Sequence, residues 1–488
     1  MKLFRALAIA LALLACSAIA ICQEPFTAGT WQAVTAAPPS PVAHMLLLTD
    51  GSVLVNSFFF TTHTDSWYRL IPDSTGSYVN GTWANAGSAP SGYNPLYFAS
   101  QVLPNGYVVI MGGEYNNGVG VWTTLGAAYN PTTNKWLKVP APTGWTSVGD
   151  AQSVILPNGK MMLANCCSSQ QAILSSYSPV TWTTTGTGKA DENDEEGWTL
   201  LPNGNVLAVD AYVNSTCCAM GSEIYNTATG TWSSGGSTVV NLVDPGSHEL
   251  GPSVLRPDGT LFYAGATTNN AIYNTATATW SAAPKFGGTL DIADGPAALL
   301  PNGNVLLDAS PGVFANGSKF FEWDGAKLNA TTAPPNAPID SSYVGNMVCL
   351  PSGQIMFTDF SSSVQIYTPT GTYNPTWQPI ITTVASTLTH GTANNVVKGM
   401  QFNGFSQCAM YGDDNQSATN WPLVRITNTA TGNVVYARTH NFSTMGIVTG
   451  TLPVSAKFDI PATIGTGAST LEVVTNGIPS APVAVVIN

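Results

Sequence analysis

Acidic side chains recur at one register of this chain. Asp150, Asp194, Glu195, Glu249 and Asp294 each stand nine or ten residues before a turn glycine, although only 9% of the residues are charged. The densest stretch is KADENDEEGWTLLPNG, with five carboxylates at Asp191, Glu192, Asp194, Glu195 and Glu196. Convergent carboxylates offer hard oxygen ligands to Ca²⁺ or acceptors to sugar hydroxyls. A suitably spaced pair would serve as general acid and base in glycoside cleavage. The reading without chemistry is a solvated acidic surface. Within the dense stretch only Asp194 and Glu195 share the register; Asp191 and Glu192 are expected to be solvated. Trp198 reads as a stacking platform for a sugar ring or as core, and His248, beside Glu249 in DPGSHELGP, as a rim residue.

What positions these residues is a repeat. LLTDGSVLV, VLPNGYVVI, ILPNGKMML, LLPNGNVLA, LRPDGTLFY, LLPNGNVLL and CLPSGQIMF are seven copies of one hairpin, with turn glycines 44 to 55 residues apart. In each, Asn, Asp or Ser followed by Gly makes a tight turn between aliphatic strands. A second hairpin follows in most copies, as in EIYNTATGTW and AIYNTATATW, whose Tyr and Trp suit packing between sheets. Four strands in each of seven units describe an all-β, seven-bladed β-propeller. Small residues before each turn, as in GPAALL and GPSVL, place that strand innermost, so the acidic register falls at the mouth of the central channel. Val42, Tyr97 and Tyr343 occupy the same register, and His44 reads as a core residue of the first inner strand.

From about Gln378 the pattern changes to alternating strands with Gly and Asn turns, which suggests an immunoglobulin-like β-sandwich. The expected division is a signal peptide over 1–22, a propeller over 24–378 and a sandwich over 379–488. Trp31 repeats the ending of a blade, so the N-terminal strand is expected to complete the last sheet, with Trp377 as the alternative.

Composition narrows the partners. A net charge of −12 with 15 Lys and Arg leaves no basic stripe for nucleic acid. Lys2 and Arg5, an apolar run over Ala6–Ala15 and Ala18-Ile19-Ala20 read as an export signal. Leu13-Leu14-Ala15-Cys16 also resembles a lipobox, which would leave a lipid anchor at Cys16. No later apolar run approaches the ~20 residues of a membrane span. Export permits disulfides. Bridges are expected between the pair Cys166, Cys167 and the pair Cys217, Cys218; a zinc site is the alternative, disfavoured because adjacent cysteines fit one tetrahedral ion poorly. Cys349 and Cys408 read as small buried hydrophobes.

The seven hairpins, the double glycine Gly112-Gly113 and the C-terminal sandwich together resemble secreted kelch-repeat proteins of the galactose-oxidase-like group. The resemblance covers nearly the whole mature chain. It implies a copper ion at the propeller axis, held by two tyrosines and two histidines, that oxidises primary alcohols of sugars. By register, Tyr97 falls at the cross-linked tyrosine, Tyr343 at the axial tyrosine and His440, in YARTHNFSTMG, at the histidine from the C-terminal domain. These three are the catalytic and metal residues that the resemblance implies. Val344 stands where the other histidine would follow the axial tyrosine, and no cysteine lies around Val42 to His44 for the cross-link. The expectation is therefore an exported binding protein for a carbohydrate or glycan at the channel mouth, with Asp150, Asp194, Glu195, Trp198, His248, Glu249 and Asp294 as ligand-binding residues. The alternative is a copper oxidoreductase with an altered metal site.

Overall fold

The computed structural model describes residues 26–58, 65–212, 218 and 220–488. The expected signal peptide, Cys16 and Cys217 lie outside them. Six four-stranded antiparallel sheets and one of five strands follow one another along the chain as seven blades. The first blade pairs Val42–Leu47, Val53–Ser57, Ser66–Ile71 and Thr82–Ser88 in that order. The seventh contains Asn346–Cys349, Ile355–Thr358 and Gln365–Thr368, and its fourth strand is the N-terminal Thr30–Ala33. Trp31 thus takes the closing position, against Phe320, Phe357 and Tyr367. Trp377 instead packs against the Gly303 turn.

Each hairpin turn is built the same way. The turn glycines at 51, 106, 159, 204, 259, 303 and 353 all have φ between +78° and +89°, and each donates its N–H to the carbonyl three residues back. That left-handed conformation is where glycine carries least penalty. The preceding Asp or Asn accepts from the N–H just past the glycine, as Asp50 does from Ser52 and Asn105 from Tyr107. The outermost strands contribute the recurrent tryptophans. Their indole N–H groups donate to backbone of the preceding blade, Trp83 to Ala36, Trp136 to Ala86, Trp182 to Pro140 and Trp31 to Thr332.

The innermost strands are buried on both faces and carry a polar girdle. His44 bridges the Ser100 hydroxyl at 2.8 Å and the Asn346 side chain at 3.3 Å, linking the first blade to the second and the seventh. Burial pushes its imidazole down to about 4, so it is neutral there. Gln101 donates to the Ser153 carbonyl, and the Thr199 and Ser253 hydroxyls bond one another.

The channel inside this girdle is filled. Every residue from 406 to 424 is buried, although little of this segment is regular structure. Ala409–Met410 adds a fifth strand to the sixth blade, Gln407 accepts from the Leu200 N–H, and Gln416 meets Ser100 and Ser153. Ser417 donates to the Met45 carbonyl. Cys408 and Cys349 are bridged, with Cα atoms 6.4 Å apart. This corrects the reading of both as free hydrophobes, which missed that the segment runs beside the seventh inner strand. The remaining C-terminal strands form one nine-stranded sheet around Val397, Phe402, Ile426, Phe458 and Leu471. Val434–His440 joins its two halves, pairing through Val434–Ala437 with Leu423–Asn428 and through Arg438–His440 with Val454–Asp459.

The disulfide spans 59 residues. Loop-closure entropy for that span is worth about 4 kcal/mol. Cys408→Ser is expected to lower the thermal unfolding midpoint by several degrees, measured by circular dichroism against the oxidised parent.

Candidate functional site

At the channel mouth the chain approaches five of the seven inner strands through an unusual backbone conformation. Tyr97, Glu195, His248 and Asp294 have φ of 52°, 56°, 70° and 50°, and Gly149 has 69° at the equivalent place. Side chains in this left-handed region cost roughly 1–2 kcal/mol each, and such residues cluster at functional sites. Of the acids in this register, Glu195 and Asp294 adopt it themselves, and Asp150 and Glu249 follow directly after it.

Glu195, Glu249 and Asp294, from the fourth, fifth and sixth blades, meet there. Each offers a carboxylate oxygen, and the three oxygens lie within 4.8 Å of one another. The filling segment adds two more acids. Gly412 packs so closely that a Cβ built on it would lie 2.3 Å from Asp294 Oδ1, which sets Asp413 and Asp414 beside the trio. Glu249, Asp413 and Asp414 are buried; Glu195 and Asp294 are half-buried. Burial raises Glu195, then repulsion from Glu249 and Asp413 raises it further. Asp413 and Asp414 are raised well above the usual carboxylate range, by burial first and then by neighbouring acids. Asp294 is pushed up to about 7, chiefly by burial. Asp150 and Asp194 are also raised to about 7, by burial and then by Glu114 and Asp150 respectively. None of the ion pairs among the described residues reaches these carboxylates.

The rest of the dense acidic stretch does something different. Lys189, itself buried, contacts Asp191, Glu196 at 2.9 Å and Glu223 at 2.7 Å. Burial alone would lower the ammonium, but Glu196, Asp191 and Glu223 outweigh it and raise it. Asp191 is therefore buried and paired rather than solvated, whereas Glu192 is exposed.

Beside the acids lies an aromatic cluster. The Tyr411 phenol donates to the Tyr343 carbonyl at 2.5 Å, and the Tyr97 phenol lies 3.5 Å from the same oxygen. The Tyr97 and Tyr411 rings are 6.4 Å apart, with Phe360 against Tyr97. Burial and then Asp294 raise both Tyr97 and Tyr411. His440 is not part of this cluster. It ends its strand in the C-terminal sheet, 3.0 Å from Asp459 and beside Asn441. The segment that enters the channel is 406–424, so position 440 is engaged elsewhere. His248 contacts the Tyr212 hydroxyl.

Two other expectations change. Trp198 is buried and packs on Trp232, with centroids 5.8 Å apart, so no face is open to a sugar. Cys166 and Cys167 are bonded to each other, which removes them from the expected bridges to Cys217 and Cys218; Cys218 is also disulfide-bonded. Trp122 was not legible as a rim residue. It follows a short hairpin, Tyr115–Asn116 with Val119–Gly120, inserted after Gly112-Gly113, and is 56% exposed. It sits against Gly149 and Asp150. The extra length between the second and third strands of the second blade was its only signal.

No family model and no curated relative matches the sequence. Among solved structures, a fungal alcohol oxidase of the AA5 family in complex with copper aligns over 95% of this chain and 100% of its own, at 14% identity and a TM-score of 0.53. Virginiamycin B lyase from Staphylococcus aureus aligns over 70% of this chain and 99% of its own, at 9% identity and a TM-score of 0.45. The extracellular domain of a one-component system from B. thetaiotaomicron aligns over 95% of this chain and 58% of its own, at 10% identity and a TM-score of 0.47. The first likeness defines a fold: this is an all-β propeller of the galactose-oxidase-like type.

Copper does not fit the donors present. Cu(II) favours imidazole nitrogen, and none of the ligating groups among the described residues contains a histidine. His44 is held by Ser100 and Asn346, His248 by Tyr212 and His440 by Asp459. What the mouth supplies is carboxylate oxygen.

Two outcomes test these electrostatics. Lys189→Met would leave three buried acids without their cation and is expected to destabilise the fold by about 3–5 kcal/mol, measured by denaturant unfolding. Asp308, buried beside Asp340 and Asp359, is pushed up to about 8, chiefly by burial. Its unfolded value is near 4, so the folded state keeps a proton that the unfolded state releases. Stability from this group is full below about pH 4 and lost as pH rises to about 8. Asp308→Asn is expected to flatten that decline and raise stability at pH 7 by several kcal/mol, read from unfolding curves across pH.

Proposed function

We propose that this chain is an exported or surface-exposed binding protein that recognises a carbohydrate or glycan at the propeller mouth. The observation that carries the reading is an exposed indole, Trp122, beside a rim of carboxylates that begins at Asp150 and continues through Glu195, Glu249 and Asp294. A sugar presents an apolar C–H face and a polar edge of hydroxyls. The indole stacks against the first and carboxylate oxygens accept from the second. The acids stand three or four residues before the inner strands that anchor them, so little ordering is required on binding.

The remaining assignments belong to the same proposal. Residues 24–378 are the propeller and 379–488 an immunoglobulin-like domain, preceded by a signal over 1–22. The Cys349–Cys408 bridge supports an oxidising location. No helix among the described residues is long and apolar enough to cross a membrane. The runner-up, a copper alcohol oxidase, has in its favour the adjacency of Tyr97 and Tyr343 and the AA5 neighbour. Against it stands the absence of imidazole at those tyrosines among the described residues.

A glycan array of neutral oligosaccharides tests the proposal. Binding is expected for the parent and a loss of at least tenfold in affinity for Trp122→Ala, with Glu195→Gln also weakened. Unchanged binding in Trp122→Ala, or alcohol-dependent peroxide production after copper loading, would overturn it.

A further inference from the structure

The trio at the mouth is under-satisfied for a protein interior. Glu249 is 8% exposed and Asp413 4%. Glu249 Oε2, Asp294 Oδ1, Asp413 Oδ2 and Asp414 Oδ1 meet no amide, hydroxyl or cationic donor among the described residues, and the side-chain hydrogen bonds of Glu249 run to the carboxyls of Glu195 and Asp294. Glu195 feels Glu249, Asp413 and Asp150 most strongly, and Glu249 feels Asp294 and Asp413. Buried carboxylates normally pair with a cation or accept hydrogen bonds. The nearby ammonium, Lys189, is fully engaged with Asp191, Glu196 and Glu223.

We infer that Glu195, Glu249 and Asp294, with Asp413 from the channel-filling segment, form a binding site for one calcium ion. The donor set is all oxygen, anionic and drawn from separate blades plus an irregular segment. That combination suits Ca²⁺, which takes six to eight oxygens in variable geometry, better than Mg²⁺, which demands a near-ideal octahedron. Three carboxylate oxygens within 4.8 Å already have the spread of ligands around one ion. Backbone carbonyls stand close by: Gly412 O approaches Gly197, and Leu250 O approaches Gly412. The ion would offset the mutual repulsion and clamp the fourth, fifth and sixth blades to the C-terminal segment. The site goes beyond the glycan reading and does not require it, although a partly open ion at the rim would also coordinate sugar hydroxyls.

Calorimetric titration of the full-length, EDTA-treated protein with CaCl₂ alone tests this. One site per chain is expected, with a dissociation constant of roughly 10⁻⁵ to 10⁻³ M and weaker binding of MgCl₂ and CuCl₂. Glu249→Gln and Asp294→Asn are each expected to weaken Ca²⁺ at least tenfold. A second measurement separates a ligand role from a folding defect. In EDTA, Glu249→Gln should melt above the parent because one repelling charge is gone; with Ca²⁺ in excess, the order should reverse. Absence of stoichiometric Ca²⁺ binding, tighter binding of Cu²⁺, or equal Ca²⁺ affinity in parent and variants would overturn the site. Because no sugar is present, these results are independent of the glycan array.

Discussion

A ring of two-faced sheets has to fill its own axis, and here one segment of the C-terminal region does so. Residues 406–424 supply what seven inner strands leave open: a disulfide to the seventh, a short strand on the sixth, and side-chain amides to the fourth, second and third. Irregular backbone can be buried this way because its polar groups meet the polar girdle rather than an apolar wall. The girdle in turn explains why Ser, Thr, Gln and a neutral His44 sit in strands otherwise made of Ala, Val and Leu.

The same segment decides the chemistry of the mouth. Its tip brings Tyr411 onto the Tyr343 carbonyl and Asp413 and Asp414 toward Glu195, Glu249 and Asp294. The fold resembles that of a copper-containing alcohol oxidase, and the mouth of this chain offers carboxylate oxygen. The shared fold does not set the chemistry at this point, since a propeller presents whatever its loops and plug carry. The buried Lys189 network shows the other way acids are accommodated in this chain. There a single buried ammonium serves three carboxylates.

The repeat was legible because its determinants are local. An Asn-Gly, Asp-Gly or Ser-Gly turn fixes φ at one residue and the register of two strands, so seven copies disclosed seven blades and the innermost strand of each. The acidic register was legible for the same reason, being counted from those turns. Residues whose fate depends on distant partners were not. His440 has a suggestive sequence, but the neighbour that holds it, Asp459, belongs to another strand. Asp191 looked solvated among other acids, and only the fold brings Lys189, Glu196 and Glu223 around it. Position in matching repeats suggested bridges between cysteine pairs, whereas Cys166 reacts with its immediate neighbour. The channel-filling segment has no period to read, because its order comes from the cavity it occupies.

The architecture also constrains how the chain is made. Thr30–Ala33 pairs with Gln365–Thr368, and the axis is filled by residues beyond 405. A growing chain emerges in order from its N-terminus, so the first strand must wait for more than three hundred residues before its partner exists. Ring closure and plugging are therefore late events that need nearly the whole polypeptide. Until then the inner strands expose aliphatic faces and unpaired edges.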